Sequence, residues 1–100
     1  MLSSGTKSCL ARTDDVAPGH TEVFAGPLAG GDHVVLFFNR NLTAAVDISV
    51  SWRELGLDAG ARMKARDLWR GKDARGTFSG SFEAAGVPVH GVKVFRLSKA

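Results

Sequence analysis

Carboxylates are the first side chains of this sequence to test for chemistry, because the chain has ten Asp and Glu against one Cys and three His. Acid–base catalysis needs two carboxylates that face one pocket, one of them with a pKa raised by burial. Most of the acids stand instead in turns or on the polar side of alternating segments, among them Asp32, Asp47, Asp58 and Asp73. Asp67 alternates in phase with Met63 and Trp69, and an ion pair or a hydrogen bond to a turn is its expected role. The carboxylates predict no catalytic residue.

The other groups for catalysis, metal binding or cofactor binding are scattered. His20, His33 and His90 fall far apart, at segment edges or turns, and no nucleophile motif accompanies them. Cys9 cannot form an internal disulfide, and no Cys/His set has the spacing of a zinc site. The glycine-containing stretch 26–31 lacks the lysine and the helix that follow a phosphate-binding loop. We therefore expect no catalytic residue, no metal and no cofactor in this chain.

Basic residues are concentrated in one segment. Six of the thirteen Lys and Arg lie within residues 62–75, where Trp69 and the nearby Phe78 could add stacking. This combination is used by proteins that bind single-stranded nucleic acid. A net charge of only +3 and the lack of an RNA-recognition aromatic pattern disfavour that partner. A solvated cationic strand face, which discourages edge aggregation, is the preferred interpretation.

Short alternating segments must position all of these residues. The patterns predict strands at 21–25, 33–40, 45–52, 62–69, 77–82 and 92–97. Ser51 and Glu54 have the spacing of a capping box and Gly56 follows as a stop, which predicts one helical turn. Residues 40–44 are expected to connect an antiparallel hairpin. Turn signals roughly every ten residues then predict an all-β antiparallel sandwich or barrel.

Chain length and the first residues bound the domain organisation. One hundred residues allow one domain and exclude a (β/α)₈ barrel, which needs at least ~200. Residues 1–19 have no periodicity and end in a Pro-Gly breaker, so we expect a poorly structured extension at 1–19 and the folded domain at 20–100. This extension has no apolar core of a secretory signal, and the longest apolar run, 34–38, is too short to span a membrane. Sequence alone therefore assigns no compartment.

Two further features bear on carbohydrate. Asn41, Leu42 and Thr43 form an N-glycosylation sequon in the predicted hairpin connection, an exposed location that a glycan on Asn41 would need. Trp52 and Trp69 could line a sugar site, but both alternate with aliphatic residues. Core packing is therefore predicted for both rings.

Five short motifs occur in a fixed order over residues 21–98. They read TEVFAGPL at 21–28, a Gly-Gly turn with an apolar strand and an Asn-Arg pair at 30–40, WRELGL at 52–57, RDLW at 66–69 and VPVHGV at 87–92. Their order and spacing resemble the C-terminal β-domain of melibiase-type α-galactosidases, glycoside hydrolase family 27. One departure is Phe24, where that family usually has tryptophan. Residues 1–19 do not resemble the end of the family's barrel domain.

The resemblance implies an antiparallel Greek-key β-sandwich of about six to eight short strands, appended to a catalytic (β/α)₈ barrel. Both catalytic aspartates of that family lie in the barrel, so no catalytic residue is transferred and this chain is expected to be an inactive fragment of a glycosidase. The resembled enzymes remove terminal α-galactosyl groups with retention and are commonly secreted, vacuolar or lysosomal.

Two roles are compatible with this resemblance. In the first, the domain packs on the absent barrel and stabilises it, with Phe24, Leu28 and Leu68 as candidate interdomain residues. In the alternative, the chain is a freestanding carbohydrate-binding module that recognises galactose-containing glycans through exposed aromatic side chains.

Overall fold

The computed structural model describes residues 10–16, 19–41 and 43–100. Within them the chain forms nine strands and one short helix, in the order β1 (Leu10–Val16), β2 (Gly19–Pro27), β3 (His33–Asn39), β4 (Val46–Ser51), α1 (Trp52–Leu55), β5 (Arg62–Asp67), β6 (Lys72–Asp73), β7 (Phe78–Ser79), β8 (Ser81–Val87) and β9 (Val92–Lys99). A 3₁₀ turn, Ala29–Gly31, joins β2 to β3. All pairings are antiparallel, which confirms the predicted all-β class. No helix in these ranges is long and apolar enough to cross a membrane.

Two sheets form the sandwich. The large sheet has the order β1-β2-β3-β9-β5-β6, and β7 pairs with β5 beside β6. The second sheet contains β4 and β8. Because β3 neighbours β9 rather than β4, the connections cross between the sheets and do not form a simple meander.

The core lies between the inner faces of the two sheets, as strand alternation requires. Phe82 of the second sheet is its centre, with ring centroids 6.1 Å from Phe37 and 4.8 Å from Phe78 and Phe95. The rings meet tilted or edge to face, geometries that favour aromatic packing. The other core side chains are Val23, Ala25, Val35, Ile48, Val50, Trp52, Met63, Ala65, Ala84, Val87 and Leu97.

The predicted helical turn is present as α1. Ser51 accepts the backbone N–H of Glu54, and the Glu54 carboxylate accepts the backbone N–H of Ser51, which completes the capping box. Gly56 ends the turn with a φ of 76°, a left-handed conformation that favours glycine. Trp52 is fully buried as predicted, and its Nε1 donates to the carbonyl of Ala61 at 2.7 Å.

The predicted hairpin at residues 40–44 is wrong, because β3 and β4 belong to different sheets. The buried Asn39 holds this crossing: its Nδ2 donates to the carbonyls of Ala44 and Val87, both at 2.9 Å, and its Oδ1 accepts the N–H of Asn41. A Cβ on Gly19 would lie 2.5 Å from the carbonyl oxygen of Arg40, so the chain just past the end of β3 approaches β2 too closely for a side chain at position 19. These contacts have no counterpart in strand periodicity.

The expectation of a poorly structured extension is wrong over residues 10–16, which form β1 along the edge of β2. Residues 1–9, 17 and 18 lie outside the described residues. Leu10 packs against the core, but Arg12 turns to the same side and makes ion pairs. An inward-facing Arg interrupts the hydrophobic alternation by which a strand is recognised.

Two predicted strands end or divide earlier than expected. The segment 62–69 is a strand only to Asp67, whose Oδ1 accepts the backbone N–H groups of Trp69 and Arg70. The expected hydrogen bond from Asp67 to a turn is thereby confirmed. The segment 77–82 divides into β7 and β8 at Gly80, which has a φ of 79°.

Candidate functional site

The outer face of the large sheet carries a row of apolar side chains. The register places Ala11 opposite Phe24, Phe24 opposite Leu36, and Leu36 opposite Val94, so the row crosses four neighbouring strands. The residues beside each of these in sequence, such as Val23 and Val35, point into the core. We call Ala11, Phe24, Leu36 and Val94 the outer apolar row. It lies on the side of the sheet that the second sheet does not cover.

A shallow depression of about 410 Å³ lies along this row. Its lining contains no charged side chain and consists of Leu10, Ala11, Phe24, Ala25, Gly26, Val34, Leu36 and Val94. Phe24 at the centre is 44% exposed. Contiguous exposed apolar surface on a small domain marks an interaction site or an aggregation liability. Chemically, this face can bury apolar area against a partner, and it has no group for acid–base work.

The other two predicted interdomain residues lie on the same side of the sheet. The N–H of Leu68 bonds to the Val94 carbonyl at 2.9 Å, which extends the β5–β9 pairing by one residue and sets Leu68 beside the row. Leu28 follows Phe24 by four positions, so strand alternation returns it to the outer side just past the end of β2. Leu28 is 37% and Leu68 45% exposed. The structure thus brings all three to one face.

The expected exposure of the sequon is wrong, because Asn41 is only 3% exposed. Its Oδ1 accepts the N–H of Thr43 at 3.0 Å and the Thr43 hydroxyl at 3.3 Å. Asn41 and Thr43 are therefore bonded to each other within the crossing from β3 to β4. A glycan on Asn41 would have to displace this packing.

Trp69 is the second residue whose predicted place is wrong. The turn that Asp67 closes carries Trp69 out of the strand, and the ring is 69% exposed. Its Nε1 donates to the carbonyl of Val92 at 3.1 Å, which fixes one edge of the indole. The sequence signal for this outcome is Asp67 followed by Arg70 and Gly71, a pattern typical of a turn.

Sequence reasoning missed Arg12, the centre of a polar contact between the sheets. Its Nη1 lies 2.7 Å from both carboxylate oxygens of Glu54, its Nη2 donates to the Ser49 carbonyl at 2.7 Å, and its Nε lies 2.8 Å from Asp14. Burial alone would raise the pKa of Glu54, but the hydrogen bonds from Arg12 and Ser51 and the Arg12 charge lower it overall. β1 is therefore fastened to α1 and β4.

The acidic and metal-ligating side chains do not converge. Asp32 pairs with Arg96 and Asp73 with Arg66, while Asp67 closes its turn. No group of three or more His, Cys, Asp or Glu that could hold a metal ion occurs among residues 10–16, 19–41 and 43–100.

Known proteins with similar sequences are α-galactosidases. The chain is 43% identical to α-galactosidase 3 of Arabidopsis thaliana over 63 residues, which are 63% of this chain and 14% of that protein. It is 36% identical to the α-galactosidase of Coffea arabica over 80 residues, which are 80% of this chain and 20% of that protein. The chain thus spans a fifth or less of the length of these relatives.

Solved structures and a family model identify which domain of these enzymes the chain resembles. The crystal structure of α-galactosidase I from Mortierella vinacea matches with a TM-score of 0.72 and 26% identity, over 90% of this chain and 23% of that one. The α-galactosidase of Saccharomyces cerevisiae matches with a TM-score of 0.66 over 88% of this chain and 30% of that one, and at 20% identity it shows the fold alone. Residues 18–97 match the model of the α-galactosidase C-terminal β-sandwich domain. The chain belongs to this domain family.

Proposed function

We propose that the chain acts as the non-catalytic C-terminal domain of an α-galactosidase and that it packs on the catalytic domain through the outer apolar row. The relatives support a role within a larger enzyme, because the matched region is 14% to 20% of their length. The observation that carries the proposal is the apolar face itself, with Phe24 exposed at its centre and no charged side chain in its lining.

The two outer faces of the sandwich differ in polarity. Because apolar surface gains more from being buried, this difference favours the large sheet as the docking side. Opposite the outer apolar row, the second sheet presents Asp47, Ser49 and Glu83 to solvent. Interfaces between domains of one chain bury roughly 600–1,500 Å². We expect an interface of this class to cover the outer apolar row and to extend toward Leu28 and Leu68.

A fusion tests this docking. Residues 10–100 replace the matching region of the Coffea arabica α-galactosidase, and thermal inactivation is followed with a nitrophenyl α-galactoside. Phe24→Ser is expected to lower the inactivation temperature of the fusion, since it removes an anchor from the interface, whereas Ser49→Asn on the opposite face leaves it unchanged. Equal effects of the two substitutions would contradict the proposed docking face. Turnover by residues 1–100 alone would contradict the non-catalytic role.

A freestanding carbohydrate-binding module is the second candidate function. The observation that favours it is Trp69, whose ring is exposed while its Nε1 is held by a hydrogen bond to the Val92 carbonyl. Sugar-binding proteins use aromatic faces as apolar platforms with a polar rim. This function predicts saturable binding of galactose-containing oligosaccharides by the isolated chain, lost in Trp69→Ala and retained in the control Leu28→Ala. Absence of saturable binding in a calorimetric titration would exclude it.

A further inference from the structure

A basic depression lies on the outer side of β5 and β9, next to the outer apolar row: Arg96 is two residues from Val94 on the same face of β9 and is paired with Val34 of β3. The register places Lys64 opposite Ser98 and Arg66 opposite Arg96, while the alternate residues Met63, Ala65 and Leu97 are buried in the core. The four outward side chains thus form two adjacent cross-strand pairs. They line a depression of about 310 Å³, whose far wall is formed by residues 73, 74 and 76.

The two arginines stand opposite each other in the register, and each is held in place by a different carboxylate. Like charges directly opposite on neighbouring strands destabilise a sheet. Each guanidinium is fixed by one carboxylate: Arg66 Nη1 lies 3.0 Å from Asp73, and Arg96 Nε and Nη2 lie 2.8 and 2.7 Å from Asp32. Arg66 Nη2 also donates to the Gly71 carbonyl at 2.7 Å. Each guanidinium group is therefore held in a fixed orientation, and each still has N–H groups that take part in none of these bonds.

Lys64 supplies a further positive charge. In the described part of the chain it has no ion pair or hydrogen-bonded partner, and it stands beside Arg66 on the same face of β5. Lys64, Arg66 and Arg96 line the depression against a single acidic side chain, Asp73. Arg96 is also paired with Asp32, which lies outside the lining, so one positive charge, that of Lys64, is left in excess. The Ser98 hydroxyl adds a neutral donor opposite Lys64.

We propose that this basic depression binds a tetrahedral oxyanion of the sulfate or phosphate class. The unpaired charge of Lys64 attracts an anion, and a tetrahedral oxyanion has enough acceptor oxygens to reach Lys64 and the unused N–H groups of Arg66 and Arg96 together. Forked guanidinium groups and an ammonium are the donors that recognise such anions. The site adjoins the outer apolar row but shares no residue with it, and anion binding is measured on the isolated chain, so failure of this proposal is distinguishable from failure of the docking proposal.

The test is a titration of the isotopically labelled full chain, followed by backbone amide shifts at constant ionic strength. Sodium sulfate and sodium hydrogenphosphate at pH 7.5 are expected to give saturable shifts in residues 63–66, 73–76 and 96–98. Sodium acetate and sodium chloride give none that saturate. Shifts that follow ionic strength alone, whatever the anion, would overturn the proposal. So would binding of a single-stranded oligonucleotide without binding of either inorganic anion.

Matched variants locate the site. Lys64→Gln is expected to weaken sulfate binding about three- to tenfold, the loss of one charge-assisted contact at a partly exposed site. Lys99→Gln removes the same charge from an exposed residue outside the lining and leaves the affinity unchanged. Asp73→Asn removes the competing carboxylate and tightens binding. Equal affinities of Lys64→Gln and Lys99→Gln, or weaker binding in Asp73→Asn, would contradict the assignment.

Discussion

At the scale of single residues, Glu54 has two structural roles. Its carboxylate completes the capping box of α1 and also receives Arg12 from the edge strand β1. A four-residue helix has too few internal hydrogen bonds to persist unaided. The charged side chain of Glu54 therefore supports both the helical turn and the attachment of β1.

Substitution of Glu54 tests this dual role. Glu54→Gln keeps the size of the side chain but removes the charge that faces Arg12. We expect the free energy of unfolding to fall by about 1 kcal/mol, the order of a lost cap or an exposed ion pair. Urea unfolding measures it. Glu83→Gln, an exposed position on β8, serves as control, and an equal loss in both variants would show that Glu54 has no special role.

The same carboxylate predicts a pH dependence. The folded-state pKa of Glu54 lies below its ordinary value of 4.5, so the folded state favours the ionised form. The stabilisation is therefore fully present above the ordinary value and is lost as the pH falls through the lower folded-state value. The stability difference between the wild type and Glu54→Gln is expected to be constant from pH 7 to pH 6 and to shrink toward pH 3. A difference that grows on acidification would refute this linkage.

At the scale of elements, the crossing from β3 to β4 depends on Asn39. Replacement by Leu leaves the Val87 carbonyl and the Asn41 N–H without their partners in a buried place, and also removes the donor to the more exposed Ala44 carbonyl. Each unsatisfied buried group costs about 1–3 kcal/mol, so Asn39→Leu is expected to destabilise the chain by about 2–4 kcal/mol. Chemical denaturation followed by circular dichroism gives the value. Ser49→Ala, on the solvent side of β4, should change it little, and a similarly small effect of Asn39→Leu would disprove the role of Asn39 as the brace of this crossing.

The elements also show which parts of the fold are readable from sequence. β2, β3, β4 and α1 follow from local signals, namely alternation and the Ser51–Glu54 spacing. β1 and the crossing do not, because they depend on polar contacts between distant residues: Arg12 and Glu54 are 42 positions apart, and Asn39 and Val87 are 48 apart. The alternation of apolar and polar residues along a strand does not predict which distant residues form such contacts.

The candidate site is predictable from sequence only where local patterns determine it. Phe24, Leu28 and Leu68 are exposed on one face, as an interdomain role requires, but their contact with a catalytic domain stays a prediction. Trp69 was misplaced because one hydrogen-bonded carboxylate, Asp67, ends β5 two residues before it. Asn41 was misplaced because the connection in which it lies crosses between sheets instead of turning at the surface.

At the scale of the whole molecule, the two outer faces of the sandwich differ: that of the second sheet is polar, while that of the large sheet carries the outer apolar row beside the basic depression. An isolated chain with this asymmetry is expected to self-associate weakly, because contact between two copies removes apolar surface from water. Sedimentation velocity over a concentration series should show a rising average mass, reduced in the double variant Phe24→Ser/Leu36→Ser. The single variant Ser49→Asn should behave as the wild type, and undiminished association in the double variant would place the contact elsewhere.

Chemical labelling tests the central claim, that the outer face of the large sheet docks on a catalytic domain, most directly. In a Cys9→Ser background, Phe24→Cys reports on the outer apolar row and Ser49→Cys on the opposite face. Thiol labelling rates are compared between residues 1–100 alone and the fusion with the Coffea arabica catalytic region. We predict that the thiol at position 24 is labelled readily in the isolated chain and is strongly protected in the fusion, while the thiol at position 49 is labelled equally in both. Equal labelling of position 24 in the two proteins, or protection of position 49 instead, would contradict the proposed docking face.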